Sequence, residues 1–72
     1  MNRTTLKGQW KQVKGRAKET WGKLTDDDLL RIEGSAERLA GLVQGRYGVT
    51  RDEAGRQIDR FLSGLDDPGV RR

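Results

Sequence analysis

The chain has 72 residues, of which 36% are charged and 32% hydrophobic, and its net charge at pH 7 is +4. This length fits one small domain with a marginal core. Cysteine and histidine do not occur, which excludes disulfides, thiol nucleophiles and the side chain that most often binds metals or acts as a base near neutral pH. The N-terminus lacks the apolar centre of a signal peptide, and no apolar run approaches the roughly 20 residues of a membrane span. We therefore expect a cytoplasmic protein without membrane insertion.

The first predicted element is an amphipathic helix over about residues 5–21. Its apolar residues recur every three or four positions and share one helix face; they are Leu6, Trp10, Val13, Ala17 and Trp21. Positive charge concentrates here, since residues 1–24 carry seven Lys or Arg and one Glu, a net of +6. The lysines on one flank of the apolar stripe, and one just after the helix, are Lys7, Lys11, Lys14, Lys18 and Lys23. These five lysines are the candidate contacts to phosphate groups or to a partner.

The segment WGKLTDDDLLRIEG, residues 21–34, places three consecutive aspartates before an apolar run. Thr25 and Asp28 have the spacing of a capping box, in which each side chain accepts a hydrogen bond from the backbone of the other. Asp26 and Asp27 would lie in the first helical turn, where carboxylates favour the free N–H groups and the positive end of the helix dipole. The alternating ligands and distal glutamate of a calcium loop are missing. The pattern favours a helix start over a metal or catalytic site.

An approximate internal repeat follows from a shift of 26 positions, which overlays residues 6–22 on residues 32–48. Each copy reads as a helix, an aromatic-glycine pair, a short turn, a threonine, an acidic turn and a second helix. Gly22 and Gly48 stand where a helix end favours a residue with positive φ. Thr50, followed by Glu53, repeats the spacing of the capping box. We interpret the repeat as a duplicated helical hairpin.

The remaining helices follow from the same pattern. A second helix starts at Asp26, a third ends near Tyr47, and the last runs from Asp52 to about Leu62. A bend at Gly34 would separate the second and third helices, and without the bend they would be continuous. The predicted fold is therefore an all-α bundle of three or four helices.

The predicted core combines the apolar face of each helix. Large aromatic side chains supply much of the buried area of a small core. The predicted core residues are Leu6, Trp10, Val13, Ala17, Trp21, Leu24, Leu29, Ile32, Ala36, Leu39, Val43, Tyr47, Ala54, Ile58 and Phe61.

The lysine flank changes character in the second copy of the repeat. Lys7 corresponds to Glu33 and Lys11 to Glu37. These complementary charges could face one another within the monomer or across a dimer interface, and a solvated basic helix face is the alternative. Exposed pairs of this kind contribute only about 0–1 kcal/mol each.

The motifs GQWKQVKG, WGKLTDDD, RIEG and RYG occur here in order, and in this combination the chain resembles the CsbD-like family of small bacterial stress-response proteins. The resemblance covers about residues 1–62, which we take as one domain, with residues 63–72 as a flexible C-terminal tail. It implies an all-α fold of the SAM-domain-like type, with two helical hairpins packed roughly orthogonally. It also implies production under general or osmotic stress, with no established enzymatic activity and no known catalytic residues. We expect no enzymatic activity and no cofactor-binding or metal-binding residues.

Two function classes stay open at this point. The first is a non-enzymatic stress protein that acts as a protectant or binding module, with a protein partner or self-association and no small-molecule substrate. The second is non-specific nucleic-acid binding, in which the five lysines would contact phosphates. Against the second class, Asp26, Asp27 and Asp28 crowd a helix N-terminus that would have to approach phosphate.

Overall fold

The computed structural model describes residues 2–65, and most of these residues lie in four α-helices. They are α1 (Arg3–Thr20), α2 (Asp26–Ile32), α3 (Ala36–Tyr47) and α4 (Arg51–Leu65). The predicted all-α bundle is confirmed, and of the two alternatives the one with four helices is correct. The order of helix, aromatic-glycine pair, turn, threonine and helix occurs twice, as the repeat predicted. The roughly orthogonal packing of the hairpins stays a prediction.

The break between α2 and α3 depends on two consecutive residues with left-handed backbone. Glu33 has φ 54° and Gly34 has φ 80°. Gly34 is also buried against α1, where a Cβ atom would overlap the backbone of Lys7. Only glycine adopts this conformation at little cost and leaves room for such an approach. The bend therefore lets the start of α1 pack directly on the turn between α2 and α3.

The predicted capping box at the start of α2 is confirmed. The Asp28 N–H donates to Thr25 Oγ1 over 3.1 Å, and the Thr25 N–H donates to Asp28 Oδ2 over 2.9 Å. At α4 only half of the box forms, since the Glu53 N–H donates to Thr50 Oγ1 over 3.0 Å. The Glu53 carboxylate accepts instead from Gln57 Nε2, one turn further along the helix, over 3.0 Å.

The two aromatic-glycine pairs, Trp21-Gly22 and Tyr47-Gly48, end their helices in different ways. Gly48 caps α3 with φ 66°, as predicted. The prediction for Gly22 was wrong, because Trp21 caps α1 with φ −121° and Gly22 does not have a positive φ. The Leu24 N–H donates to the Trp21 carbonyl over 3.0 Å. This bond closes the turn after α1 without a left-handed residue.

The core contains most of the predicted apolar residues, with two corrections. Tyr47 and Phe61 are only partly buried and pack against the edge of the core. Leu62, which the pattern missed, is 3% exposed. The buried apolar residues are Leu6, Trp10, Val13, Ala17, Trp21, Leu24, Leu29, Ile32, Ala36, Leu39, Val43, Ala54, Ile58 and Leu62.

Helix α4 extends to Leu65, three residues past the predicted end near Leu62. Residues 63–65, which the sequence assigned to a tail, therefore lie in the helix. The rest of the predicted tail, residues 66–72, lies outside the described residues. The division into residues 1–62 and a tail stays a prediction.

Candidate functional site

The five candidate lysines do not form one uniform surface. Lys18 Nζ lies 2.8 Å from Asp26 Oδ1, and Lys23 Nζ lies 5.1 Å from the centre of the Tyr47 ring. Lys7 and Lys11 are exposed and Lys14 is half-buried, and none of the three forms a salt bridge within residues 2–65. Two of the lysines are thus held in contacts within the chain. The proposed contacts of all five to an external partner stay a prediction.

The carboxylate of Asp26 connects the lysine flank to the start of α2. The hydrogen bond from Lys18, followed by the positive charges of Lys18 and Lys14, lowers the pKa of Asp26 below its usual range. Asp26 is therefore ionised at neutral pH and offsets part of the charge of this flank. A phosphate group approaching here would meet a carboxylate as well as lysines.

The complementary charges of the repeat do not pair within the monomer. Within residues 2–65, no salt bridge joins Lys7 to Glu33 or Lys11 to Glu37. Glu33 instead lies 3.4 Å from Arg38 Nη1, across the bend between α2 and α3. Pairing across a dimer interface stays a prediction.

Asp28 has a second role besides capping. Arg46 donates from Nη1 to Asp28 Oδ2 over 2.5 Å and from Nη2 to Asp28 Oδ1 over 2.9 Å. These bonds, with that from the Thr25 N–H, lower the pKa of Asp28 to about 2. Both carboxylate oxygens of Asp28 therefore accept hydrogen bonds within the chain. No feature of the sequence had predicted Arg46 as the partner.

An open groove of about 470 Å³ lies where α1, α3 and α4 meet. The aromatic residues of both aromatic-glycine pairs, Trp21 and Tyr47, line this groove. The residues that give it its chemical character are Arg16, Trp21, Tyr47, Gln57, Arg60 and Phe61. We call this feature the aromatic groove.

Hydrogen bonds and ring contacts fix the wall of the aromatic groove. Trp21 Nε1 donates to Gln57 Oε1 over 2.9 Å, across 36 residues of sequence. The rings of Trp21 and Phe61 have centroids 5.0 Å apart and are tilted by 58°, a favourable aromatic geometry. The Tyr47 hydroxyl oxygen accepts from the Lys23 N–H over 2.9 Å. This bond joins the end of α3 to the turn between α1 and α2.

The charge of the aromatic groove is positive. Arg16 and Arg60 are exposed, and neither forms a salt bridge within residues 2–65. Among residues 2–65, no acidic residue lines the groove. On α4, one turn before Gln57, the pKa of Glu53 is lowered first by the hydrogen bond from Gln57 and least by the charge of Arg60.

Sequence reasoning missed this groove. The repeat placed Trp21 and Tyr47 at equivalent positions, which was the one available signal that they share a role. Arg16 lies on the flank of α1 opposite the lysines, and Arg60 lies on another helix. Their proximity depends on how the hairpins pack.

None of the helices in residues 2–65 combines the length and the apolar character that a membrane span requires.

Comparison with known proteins identifies the family. Its model, described as CsbD-like, matches residues 4–56. The chain is 56% identical to a UPF0337 protein of Bordetella pertussis over 62 residues, which cover 86% of this chain and 94% of the relative. It is 50% identical to the UPF0337 protein YjbJ of Escherichia coli K12 over 58 residues, which cover 81% of this chain and 84% of that protein.

A UPF0337 protein of Pectobacterium atrosepticum is 52% identical over 61 residues, which cover 85% of this chain and 88% of the relative. No solved structure matches the chain. The family match covers well over half of the sequence, and the resemblance found in its motifs is confirmed. The chain therefore belongs to the CsbD-like family.

Proposed function

We propose that this protein is a non-enzymatic bacterial stress-response protein of the cytoplasm, which acts under general or osmotic stress as a protectant or a binding module. Membership of the CsbD-like family is the observation that carries the proposal. The carboxylates of the acidic turn agree with it, because Asp26 and Asp28 are bonded to Lys18 and Arg46 and so serve the fold.

The surface suits a protein that accumulates to high concentration. Among residues 2–65, Leu30 is the one large apolar residue that is exposed, at 58%, and the mean hydropathy of the whole chain is −0.92. Large exposed apolar patches promote association and aggregation. A surface without them supports a role in which the folded domain is abundant and stays dissolved in a concentrated cell.

A deletion strain tests the proposal. We expect the strain to survive osmotic shock less well than its parent, and we expect wild-type protein supplied from a plasmid to restore survival. The control is Leu39→Asp, which places a charge in the core and should unfold the protein. We expect this variant not to restore survival. Equal survival of the deletion strain and its parent across osmotic, oxidative and heat stress would contradict the proposal.

One observation favours nucleic-acid binding as a second candidate function. Lys7, Lys11 and Lys14 follow one flank of α1 without a salt bridge within residues 2–65. A salt titration with duplex DNA tests this candidate, since phosphate neutralisation makes affinity fall steeply with salt. Replacing the three lysines with glutamine should weaken binding and reduce the steepness of its salt dependence. Absence of binding at about 50 mM salt would rule the candidate out.

A further inference from the structure

The aromatic groove has the size of a ligand site. Its volume of about 470 Å³ falls within the range of roughly 300–1,000 Å³ that is usual for small-molecule sites. It lies where three helices meet. The Trp21–Gln57 hydrogen bond and the Trp21–Phe61 ring contact hold one wall in place without a ligand. The groove is therefore preformed, which reduces the cost of binding.

The wall of the groove offers ring surface. Trp21 is 2% exposed and serves as support, while Tyr47 and Phe61 are each half-buried. Aromatic side chains with an accessible edge or face pair favourably with a second ring in tilted or offset geometry. A ligand with a flat ring can pair with Tyr47 and Phe61 in this way, whereas a purely ionic ligand leaves this surface unused.

The polar groups at the rim are mostly donors. Arg16 and Arg60 present guanidinium groups, which bind carboxylates and phosphates through paired hydrogen bonds. The Tyr47 hydroxyl oxygen accepts from the Lys23 N–H, and the hydroxyl proton can be donated to a ligand. No carboxylate among residues 2–65 lines the groove, so an anion meets no acidic side chain from this part of the chain there.

From these contacts we infer that the aromatic groove binds a small anion that carries a flat aromatic ring. The ring packs against Tyr47 and Phe61, and the carboxylate or phosphate is held by Arg16 and Arg60. An aromatic carboxylate and a nucleoside monophosphate share this chemistry. The inference goes beyond the proposed stress role and does not depend on it, because binding is measured on the purified protein.

The two tryptophans provide the readout. Trp21 Nε1–H lies at the groove, bonded to Gln57, whereas Trp10 Nε1–H is buried elsewhere and bonded to the Leu29 carbonyl over 2.7 Å. Nuclear magnetic resonance spectra of the ¹⁵N-labelled full chain are recorded during titration with benzoate and, separately, with adenosine monophosphate. We expect a saturable shift of the Trp21 indole signal and little change at Trp10, and the probe that binds more tightly identifies carboxylate or phosphate as the preferred group.

Matched probes separate charge from ring. Benzamide and adenosine keep the ring without the charge, and acetate and inorganic phosphate keep the charge without the ring. We expect each of them to bind at least about tenfold more weakly than its complete counterpart, as the loss of a charged or aromatic contact implies. Equal binding of a neutral probe, or of a ringless one, would overturn the assignment.

Variants locate the site. Arg16→Gln combined with Arg60→Gln should weaken binding of the anionic probes about tenfold or more, and both positions are exposed, so the fold is retained. Lys11→Gln removes one positive charge from the other flank of α1 and should leave affinity unchanged. The inference is wrong if Trp21 shows no saturable shift up to about 10 mM probe, if Trp10 shifts with it, or if the double arginine variant binds as wild type does.

Discussion

Arg46 at the end of α3 donates two hydrogen bonds to the carboxylate of Asp28 in the first turn of α2. A third bond runs from Arg46 Nη1 to the Lys23 carbonyl over 3.3 Å. One arginine thus links the second hairpin to both the turn and the helix start of the first. The Asp28 side chain is 11% exposed, so this pair is better shielded from water than the other four salt bridges of residues 2–65.

This link predicts acid sensitivity. The pKa of Asp28 is lowered from 3.8 to about 2 in the folded protein, first by Arg46 and then by the Thr25 backbone. A carboxyl group whose pKa is lower in the folded state stabilises the fold above its ordinary pKa. That stabilisation is lost as pH falls from about 4 towards 2. Asp28→Asn should lower the melting temperature at pH 7 by several degrees, and it should flatten the dependence of stability on pH in this window.

Asp27→Asn is the matched control, because Asp27 is an exposed residue of the same helical turn. It removes the same charge and should change the melting temperature little. Melting curves of both variants are recorded by circular dichroism at a series of pH values from about 2 to 7. A wild-type pH profile in Asp28→Asn would show that the pair with Arg46 does not stabilise the fold.

Gly34 predicts the most damaging small substitution. Gly34→Ala places a Cβ atom against the backbone of Lys7 and also forces alanine to adopt φ 80°. Overpacking and left-handed backbone together should cost about 3 kcal/mol or more. Gly48 has φ 66° with open space around it, so Gly48→Ala should cost only about 1–2 kcal/mol. Urea unfolding of both variants measures the difference, and equal losses would show that the approach to Lys7 is not tight.

The sequence predicted features that depend on local chemistry. The capping box at Thr25 and the left-handed cap at Gly48 follow from a few neighbouring residues, and the buried faces follow from helical periodicity. Leu62 was missed because Phe61 was chosen for the core, although Ala54, Ile58 and Leu62 recur at a strict spacing of four.

Long-range partners could not be predicted in this way. Asp28 and Arg46 are 18 positions apart, and nothing local distinguishes Arg46 from the other arginines. The aromatic groove requires Arg16 and Arg60 to meet from two helices that are far apart in sequence. Tyr47 was assigned to the core because its ring fits the apolar pattern, but its hydroxyl reaches Lys23 and keeps it at the surface.

The solvent-facing glycines of α1 and α3 predict a route to a more stable protein. They are Gly8, Gly15, Gly41 and Gly45. Apart from its chain neighbours and its own helix backbone, a Cβ atom at any of them would have no neighbour within 4 Å among residues 2–65. Their φ angles are negative. Each replacement with alanine should therefore raise the free energy of unfolding by about 0.5–1 kcal/mol. Urea unfolding of the single variants checks this, and a loss of stability at any site would point to a packing or binding role for that glycine.

Two adjacent leucines in α2 test how the short helix packs. Leu29 is 2% exposed and Leu30 is 58% exposed, so the same chemical change at the two positions should have very different effects. Leu29→Ala leaves a cavity in the core and should cost about 2–5 kcal/mol, a large part of the stability of a domain of this size. Leu30→Ala should change stability by less than about 0.5 kcal/mol. Urea unfolding gives both values. If Leu30→Ala proved as damaging as Leu29→Ala, α2 would be rotated about its axis relative to this structure, or Leu30 would be covered by a second molecule.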